Sequence, residues 1–487
     1  MKRLFLLTVL VLVPSCGRDD GEGPLPSSGR PVILISVDCL RADHCTPYGY
    51  EARFTDEPTT PFLQRLAEEG VLFEEAESST CWTLPAHVSL LTGMDAFEHG
   101  VRNRLFGLAE GTEHLAGRFQ RAGYATAGFF SGPFLHPEWG FGQGFDTYEA
   151  SSEYLRQLEA AAIIQDTESR GRLMRLHNLA HADRLTSERV VDLARQWLAE
   201  DDRWKEPFFL FLHLWDPHYD YAPPPELAET FLPDYDGPVD GSHFIDRNRS
   251  YSDEELSAFE ALYDAEVRYT DGQIERLFRI LESWGIADEA LFVVTADHGE
   301  AFGEHGERGH QKNLYEEVTH IPMILRAPGL LPEGKRIPWS VPLYDLAPTL
   351  LELTGVPVWK DRRGQSLLPM IFDREPTDRS IVLDLHHHTL QAAWKRAWRR
   401  GRYKVHWDLK AGAGEIYDLE EDPGELDPIR VQQLAEHPLG ERAEAELRAR
   451  GAFEPVDRIT RYSRRMKLSP AMETALDALG YAGSSQD

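Results

Sequence analysis

Two apolar runs in this chain end on acids. Pro31-Val32-Ile33-Leu34-Ile35-Ser36-Val37 leads into Asp38, and Leu291-Phe292-Val293-Val294-Thr295-Ala296 leads into Asp297-His298-Gly299-Glu300. Carboxylates and an imidazole delivered by separate buried segments are the donor types that hold a divalent cation. A single Asp after such a run is more often a turn residue or a helix cap. The second acid, with a histidine beside it, turns the reading of Asp38 toward metal chemistry. A third run, residues 207–214, leads to Trp215-Asp216-Pro217-His218-Tyr219 and brings another imidazole. Between the first and third stands Cys81-Trp82-Thr83-Leu84-Pro85-Ala86-His87, a turn running into a short helix with a hydroxyl at its start.

Each run is continuous rather than alternating, which predicts strands buried on both faces, as parallel strands of α/β proteins are. Ligands of open parallel sheets bind outside the carboxyl ends of the strands, where these polar residues fall. A length of 487 residues exceeds what one core serves, so one large domain and a smaller one are expected. Residues 151–206 read as charged amphipathic helices, 222–250 as a Pro-, Asp- and Gly-rich loop able to cover a pocket, and 428–487 as a helical tail.

A formal charge of −30 argues against nucleic acid as a partner, since Lys and Arg neutralising phosphates dominate such binding. An anionic substrate would then need a local positive site, most simply a metal ion. The start of the chain carries a targeting signal: Met1-Lys2-Arg3, an apolar run of ten residues from Leu4 to Val13, then Pro14-Ser15-Cys16. That run is too short to span a bilayer. Gly17 to Gly29 reads as a flexible tether. Cys39, Cys45 and Cys81 match no zinc spacing and read as structural, with pairing of Cys39 and Cys45 left open.

The segments "ISVDCLRADHCTPYGY", "TLPAHVSLLTG", "HLWDPHYDY", "VTADHGEAFGEHG", "GHQKNLYEEVTHIPMILRAPG" and "DLAPTLLELTG" occur in this order. The chain resembles the sulfatase-type branch of the alkaline phosphatase superfamily over residues 31–427. The resemblance implies a mixed, mostly parallel central sheet flanked by helices, with a smaller C-terminal α+β subdomain. It divides the chain into a catalytic domain (31–358), a subdomain with a closing hairpin (359–427) and the tail. It also implies that residues 1–16 are a lipoprotein signal ending at a lipidated Cys16, with 17–30 as tether, and hence an extracytoplasmic protein anchored to a bacterial membrane.

In the formylglycine-dependent members the stretch reads Cys-x-Pro-x-Arg, and the cysteine becomes an aldehyde hydrate. Here Thr83 stands at that position and His87 at the arginine position, while Cys81 lies two residues too early, so no formylglycine is expected. The resemblance makes Asp38, Thr83, Asp297 and His298 the metal set, with Ca²⁺, Mg²⁺, Mn²⁺ or Zn²⁺ as the ion. Cys39 stands where many members have a further Asp. His218 falls near the leaving group, His310 and Lys312 at positions that contact the anion, and His87 at one that could bind a substrate oxygen or orient Thr83. Cation coordination favours the alkoxide of a threonine hydroxyl, which makes Thr83 a candidate nucleophile; capping of the helix is the other use open to it.

The reading is a metal-dependent hydrolase of sulfate or phosphate esters, on a glycan or lipid among other carriers. The alternatives are a transferase of phosphoethanolamine or phosphoglycerol type and a surface binding protein without turnover. Within His386-His387-His388 only the outer two would share a strand face, and no second metal is read from them.

Overall fold

Three apolar strands run side by side at the centre of the molecule and end level with one another. The computed structural model describes residues 28–151, 186–246, 248–373, 379–386, 394–453 and 459–469, with 472, 473 and 476. Cys16, the tether up to residue 27, residues 152–185, His387 and His388 lie outside the described residues. The main sheet has eight strands: β1 (Val32–Val37), β2 (Val71–Glu77), β3 (Ala125–Phe130), β4 (Thr147–Ala150), β5 (Phe208–Leu214), β6 (Leu291–Ala296), β7 (His320–Arg326) and β8 (Lys335–Pro342). Their order is β8-β2-β7-β6-β1-β5-β3-β4, and β7 alone runs antiparallel to its neighbours.

Register explains the site. Ser36 pairs with His213 on β5 and with Thr295 on β6, and Val37 pairs with Leu214 and Ala296. The chain therefore leaves all three strands at one level, delivering Asp38 and Asp297 side by side with His213 two residues behind. Every residue of β1, β5 and β6 is buried, which accounts for the continuous apolar runs.

Helix α1 (Thr83–Thr92) starts at this edge and ends at Gly93, whose φ of 70° gives the left-handed turn that glycine adopts without strain. Helix α2 (Asp253–Trp284) begins with a capping box between Ser252 and Glu255 and buries Tyr263 beneath the site. The Tyr263 hydroxyl donates to the Cys39 carbonyl at 2.9 Å and accepts from the Arg41 N–H at 3.0 Å, fixing the turn after β1. Among the described residues no helix is long and apolar enough to cross a membrane.

The smaller unit is a five-stranded antiparallel sheet made by Ile381–His386, Trp394–Arg400, Tyr403–Asp408, Ala413–Asp418 and Ile429–Val431. It extends beyond residue 427: Ile429–Val431 is its last strand, and helix Pro438–Ala449 lays Ala443 and Leu447 into the same core as Trp398 and Val405. The tail is accordingly not helical throughout. Ser463–Arg465 forms a strand that pairs with Phe106–Leu108 of the large domain. Buried Arg399 joins the two units by contacting Glu75, Glu77 and Glu316, and Lys404 adds a second bond to Glu316 at 2.5 Å.

Candidate active site

The site forms where β1, β5, β6 and the start of α1 meet. His298 lies at its centre. Its Nδ1 is 2.9 Å from the Gly299 carbonyl oxygen, which puts the proton on Nδ1 and the lone pair on Nε2. Around Nε2 stand Thr83 Oγ1 at 3.4 Å, Asp297 Oδ2 at 3.4 Å and Asp38 Oδ1 at 3.6 Å. Ligand atoms bonded at about 2.0–2.2 Å to one tetrahedral cation lie roughly this far apart.

Electrostatics point the same way. Asp297 Oδ2 is buried without a hydrogen-bond partner, although Asp297 Oδ1 accepts the N–H groups of Cys39 and His298 at 3.3 and 2.9 Å. Burial and the neighbouring Asp38 charge push the Asp297 carboxyl well above the ordinary range. Burial would also raise Asp38, but the hydrogen bond from His213 and the surrounding histidines hold it far below that range. Burial pushes His298 down to about 3, so its imidazole is neutral. Two abutting carboxylates, an orphaned oxygen and an imidazole lone pair fit a divalent cation, whose charge would relieve their repulsion.

The hydroxyl of Thr83 is turned to His298. Trp82 occupies the N-cap of α1 and makes no side-chain cap, so Thr83 is the first residue of the helix rather than its cap. Of the two uses open to His87, contact with a substrate oxygen and orientation of Thr83, its hydrogen bonds fit the second. His87 is fully buried, with Nδ1 2.9 Å from the Thr83 carbonyl oxygen and Nε2 3.0 Å from Ser36 Oγ, so both nitrogens are engaged within the protein. Burial lowers it to about 3, which removes the charge an arginine would carry there.

His218 and His310 face each other with ring centroids 5.2 Å apart, and His310 lies 4.5 Å from His298. Both histidines therefore belong to this site. Lys312 turns back to its own loop, bonding the Arg308 carbonyl and lying 3.5 Å from Glu307. Gln311 ties this loop to the segment before Thr83 through its N–H and the Cys81 carbonyl at 3.2 Å. Cys81 itself is buried, its thiol pushed to about 12 by burial, and Cys39, Cys45 and Cys81 are all unpaired, which removes the Cys39–Cys45 disulfide. The described member of the three consecutive histidines, His386, takes 2.9 Å contact with Asn103 Nδ2.

Two site residues escaped the sequence reading. His213 sits in an apolar strand, accepts backbone N–H groups of Ser131 and Gly132 at Nδ1 and reaches Asp38 Oδ2 with Nε2 at 3.2 Å. Glu300, pushed up to about 7 by burial, lies 3.0 Å from His310 Nδ1. The signal for His213 was its polarity within "FFLFLHL".

Residues 30–356 match the family model described as Sulfatase. The chain belongs to the sulfatase family. Residues 303–449 also match the model described as N-sulphoglucosamine sulphohydrolase, C-terminal. The chain is 26% identical over 439 residues to an arylsulfatase of Clostridium perfringens, covering 81% of this chain and 89% of that protein. It is 24% identical to a delta 4,5-hexuronate-2-O-sulfatase of Bacteroides thetaiotaomicron over 84% of this chain and 87% of that protein. The crystal structure of a phosphonate monoester hydrolase of Agrobacterium radiobacter superposes with a TM-score of 0.66 at 20% identity, covering 90% of this chain and all of that one, a likeness of fold. This sulfatase-family chain is thus a hydrolase-type enzyme of the alkaline phosphatase superfamily, a family that generally binds a divalent metal.

Proposed function

We propose that the protein hydrolyses ester sulfates, or phosphate esters of like shape, through Thr83 as nucleophile. The observation that carries this reading is the Thr83 hydroxyl 3.4 Å from His298 Nε2, at the start of a helix and among Asp38 and Asp297. A divalent cation held by Asp38, Asp297, His298 and the Thr83 hydroxyl would supply charge that lowers the hydroxyl pKa and offsets the anionic ester.

The chain's own groups supply the rest. The Thr83 oxygen, its proton released to solvent water as the cation binds, attacks the central sulfur or phosphorus in line as the bond to the leaving oxygen breaks, and His218, having taken up a proton from solvent at Nε2, gives it to that oxygen. The start of α1 favours an anion beside Thr83. His310 contacts the ester oxygens. His87 and Ser36 hold the Thr83 backbone in place, and His213 orients Asp38. Threonine carries one oxygen on its β-carbon, so release requires water to attack the central atom and restore the hydroxyl. No formylglycine is invoked, because Cys81 is buried and two residues removed from Thr83.

The names of the relatives favour an aryl or uronate sulfate as the first substrates to try. Transfer of the group to a surface glycan or lipid differs only in the acceptor replacing water. A lipid anchor at Cys16 would set the reaction outside the cytoplasm.

The test is steady-state turnover of aryl sulfate, phosphate monoester, phosphate diester and phosphonate monoester substrates with each divalent ion, by wild type and Thr83→Ala. Metal-dependent turnover abolished in Thr83→Ala supports the proposal. Equal turnover in the variant, or none with any substrate and metal, removes it.

A further inference from the structure

Helix α1 runs from Thr83 at the active site to Thr92, a length of about 14 Å. At that far end the Thr92 carbonyl accepts Arg362 Nη1 at 2.5 Å, and Arg362 Nη2 donates to the Glu113 carbonyl at 2.6 Å. Arg362 is part of the wall of a cavity of about 380 Å³, a size typical of small-molecule sites. Arg118, Arg121 and Arg461 line it too, against the carboxylates of Glu110, Glu113 and Asp361. In a chain of formal charge −30 this is a local excess of positive charge.

The guanidiniums are gathered together and only partly used. Arg362 Cζ and Arg118 Cζ lie 3.8 and 5.4 Å from the centroid of the Trp359 ring, so one indole holds two cations close to each other. Arg118 is 5% exposed. Its Nε lies 3.1 Å from Glu113 Oε2 but out of line for a hydrogen bond, and is buried without a partner. The two terminal nitrogens of Arg118 make no hydrogen bond among the described residues. Glu113 instead accepts from Arg121 Nη1 at 2.8 Å and from Trp359 Nε1 at 3.0 Å. Arg362 Nε is likewise buried without a partner. Burial lowers the Arg362 guanidinium to about 10 against the pull of Tyr462, Asp361 and Glu113, and the Arg118 charge adds to the lowering. A bound anion would relieve this crowding of cations.

We propose that this cavity binds an acidic saccharide unit, a sugar ring carrying one carboxylate. The two terminal nitrogens of Arg118 form the planar fork that pairs with both oxygens of a carboxylate. Asp361 Oδ2 accepts from Arg461 Nη2 at 2.7 Å and from the Tyr462 hydroxyl at 3.0 Å, while Oδ1 makes no hydrogen bond among the described residues. That oxygen and exposed Glu110 are acceptors for neutral hydroxyls, and their charges repel a polyanion. One negative group set among hydroxyls is the chemistry that satisfies both sets. The cavity lies apart from Thr83 and does not rest on the reaction proposed there.

The full chain is titrated calorimetrically with glucuronate, glucose and inorganic sulfate, beside Arg118→Gln and Arg461→Ser. The proposal requires one equivalent of glucuronate on wild type, bound at least about tenfold more tightly than glucose or sulfate, and weakened at least about tenfold in both variants. Arg461 and Asp361 are 67% and 57% exposed, so their pair adds little to stability and Arg461→Ser tests the site in a folded chain even where Arg118→Gln fails to fold. An oligosaccharide ending in the same uronate identifies the source: tighter binding than glucuronate marks the end of a glycan, and otherwise the ligand is a free sugar acid. No binding of glucuronate, equal affinity in Arg461→Ser, or sulfate bound as tightly as the sugar acid overturns the proposal. None of these readouts involves turnover, so failure here is distinct from failure of Thr83 as nucleophile.

Discussion

His213 Nε2 lies 3.2 Å from Asp38 Oδ2, and the histidine is locked in this pose by the backbone N–H groups of Ser131 and Gly132 at its other nitrogen. The arrangement fixes the tautomer, because Nδ1 accepts and Nε2 must donate. It leaves Asp38 Oδ1 directed at His298. Partners of this kind are typically worth about 10–100-fold in metal affinity. His213→Phe is therefore expected to weaken divalent-metal binding by about that factor while the chain stays folded, as read by calorimetric titration alongside far-ultraviolet circular dichroism. Unchanged affinity would show that Asp38 needs no such support.

Gly299 carries a steric demand. A Cβ there would sit 2.2 Å from the Glu317 carbonyl oxygen, far inside van der Waals contact. The Gly299 carbonyl also receives His298 Nδ1, so displacement of this turn moves the central imidazole. Gly299→Ala should cost about 1–3 kcal/mol in urea unfolding and reduce metal affinity at the same time. Wild-type stability in this variant would contradict the close approach.

Much of this was legible from residue types. The runs ending at Asp38 and Asp297 announce buried strands, and their common level follows from parallel register. His298 and Thr83 fall out of the same pattern, and the structure brings all four together. His87 was not legible in the same way, since a histidine on α1 reads alike whether it faces substrate or Ser36. His213 was hidden because one polar residue in an apolar strand is usually a satisfied core residue; only the register opposite Ser36 shows what it touches. The tail misled for another reason. Its Glu, Arg and Ala content gives helix Pro438–Ala449, but Ile429–Val431 and Ser463–Arg465 are strands made by pairing with distant segments, which local propensity does not contain.

Acid sensitivity should arise partly outside the active site. Asp384 is buried between Arg102, with bonds of 2.6 and 2.8 Å, and Arg396 at 2.6 Å. Burial raises its carboxyl, but the two guanidiniums outweigh that and hold it at about 2. A carboxyl depressed in the folded state stabilises above its unfolded value of about 3.9 and loses that contribution as pH falls toward its folded value. Asp384→Asn should thus be less stable than wild type at neutral pH by about 3–5 kcal/mol, with the gap narrowing between about pH 4 and 2. Denaturant unfolding across that range measures it, and a gap independent of pH would refute the assignment.

The junction between the two units should be as demanding. Arg399 is fully buried against Glu75, Glu77 and Glu316, so Arg399→Met leaves carboxylates buried without their main cation. Removing one partner of a buried ion network costs about 3–5 kcal/mol. Thermal unfolding should shift down accordingly, and an unchanged midpoint would show that Lys404 alone suffices.

The central claim is that Thr83 forms a bond to the group being transferred. The direct measurement is acid quenching of the metal-loaded enzyme during turnover, followed by peptide mass spectrometry of the segment containing Thr83. The account predicts a sulfuryl or phosphoryl group on Thr83 in wild type, with turnover reduced at least about 10³-fold in Thr83→Ala. Turnover with Thr83 unmodified, and undiminished in Thr83→Ala, would contradict it.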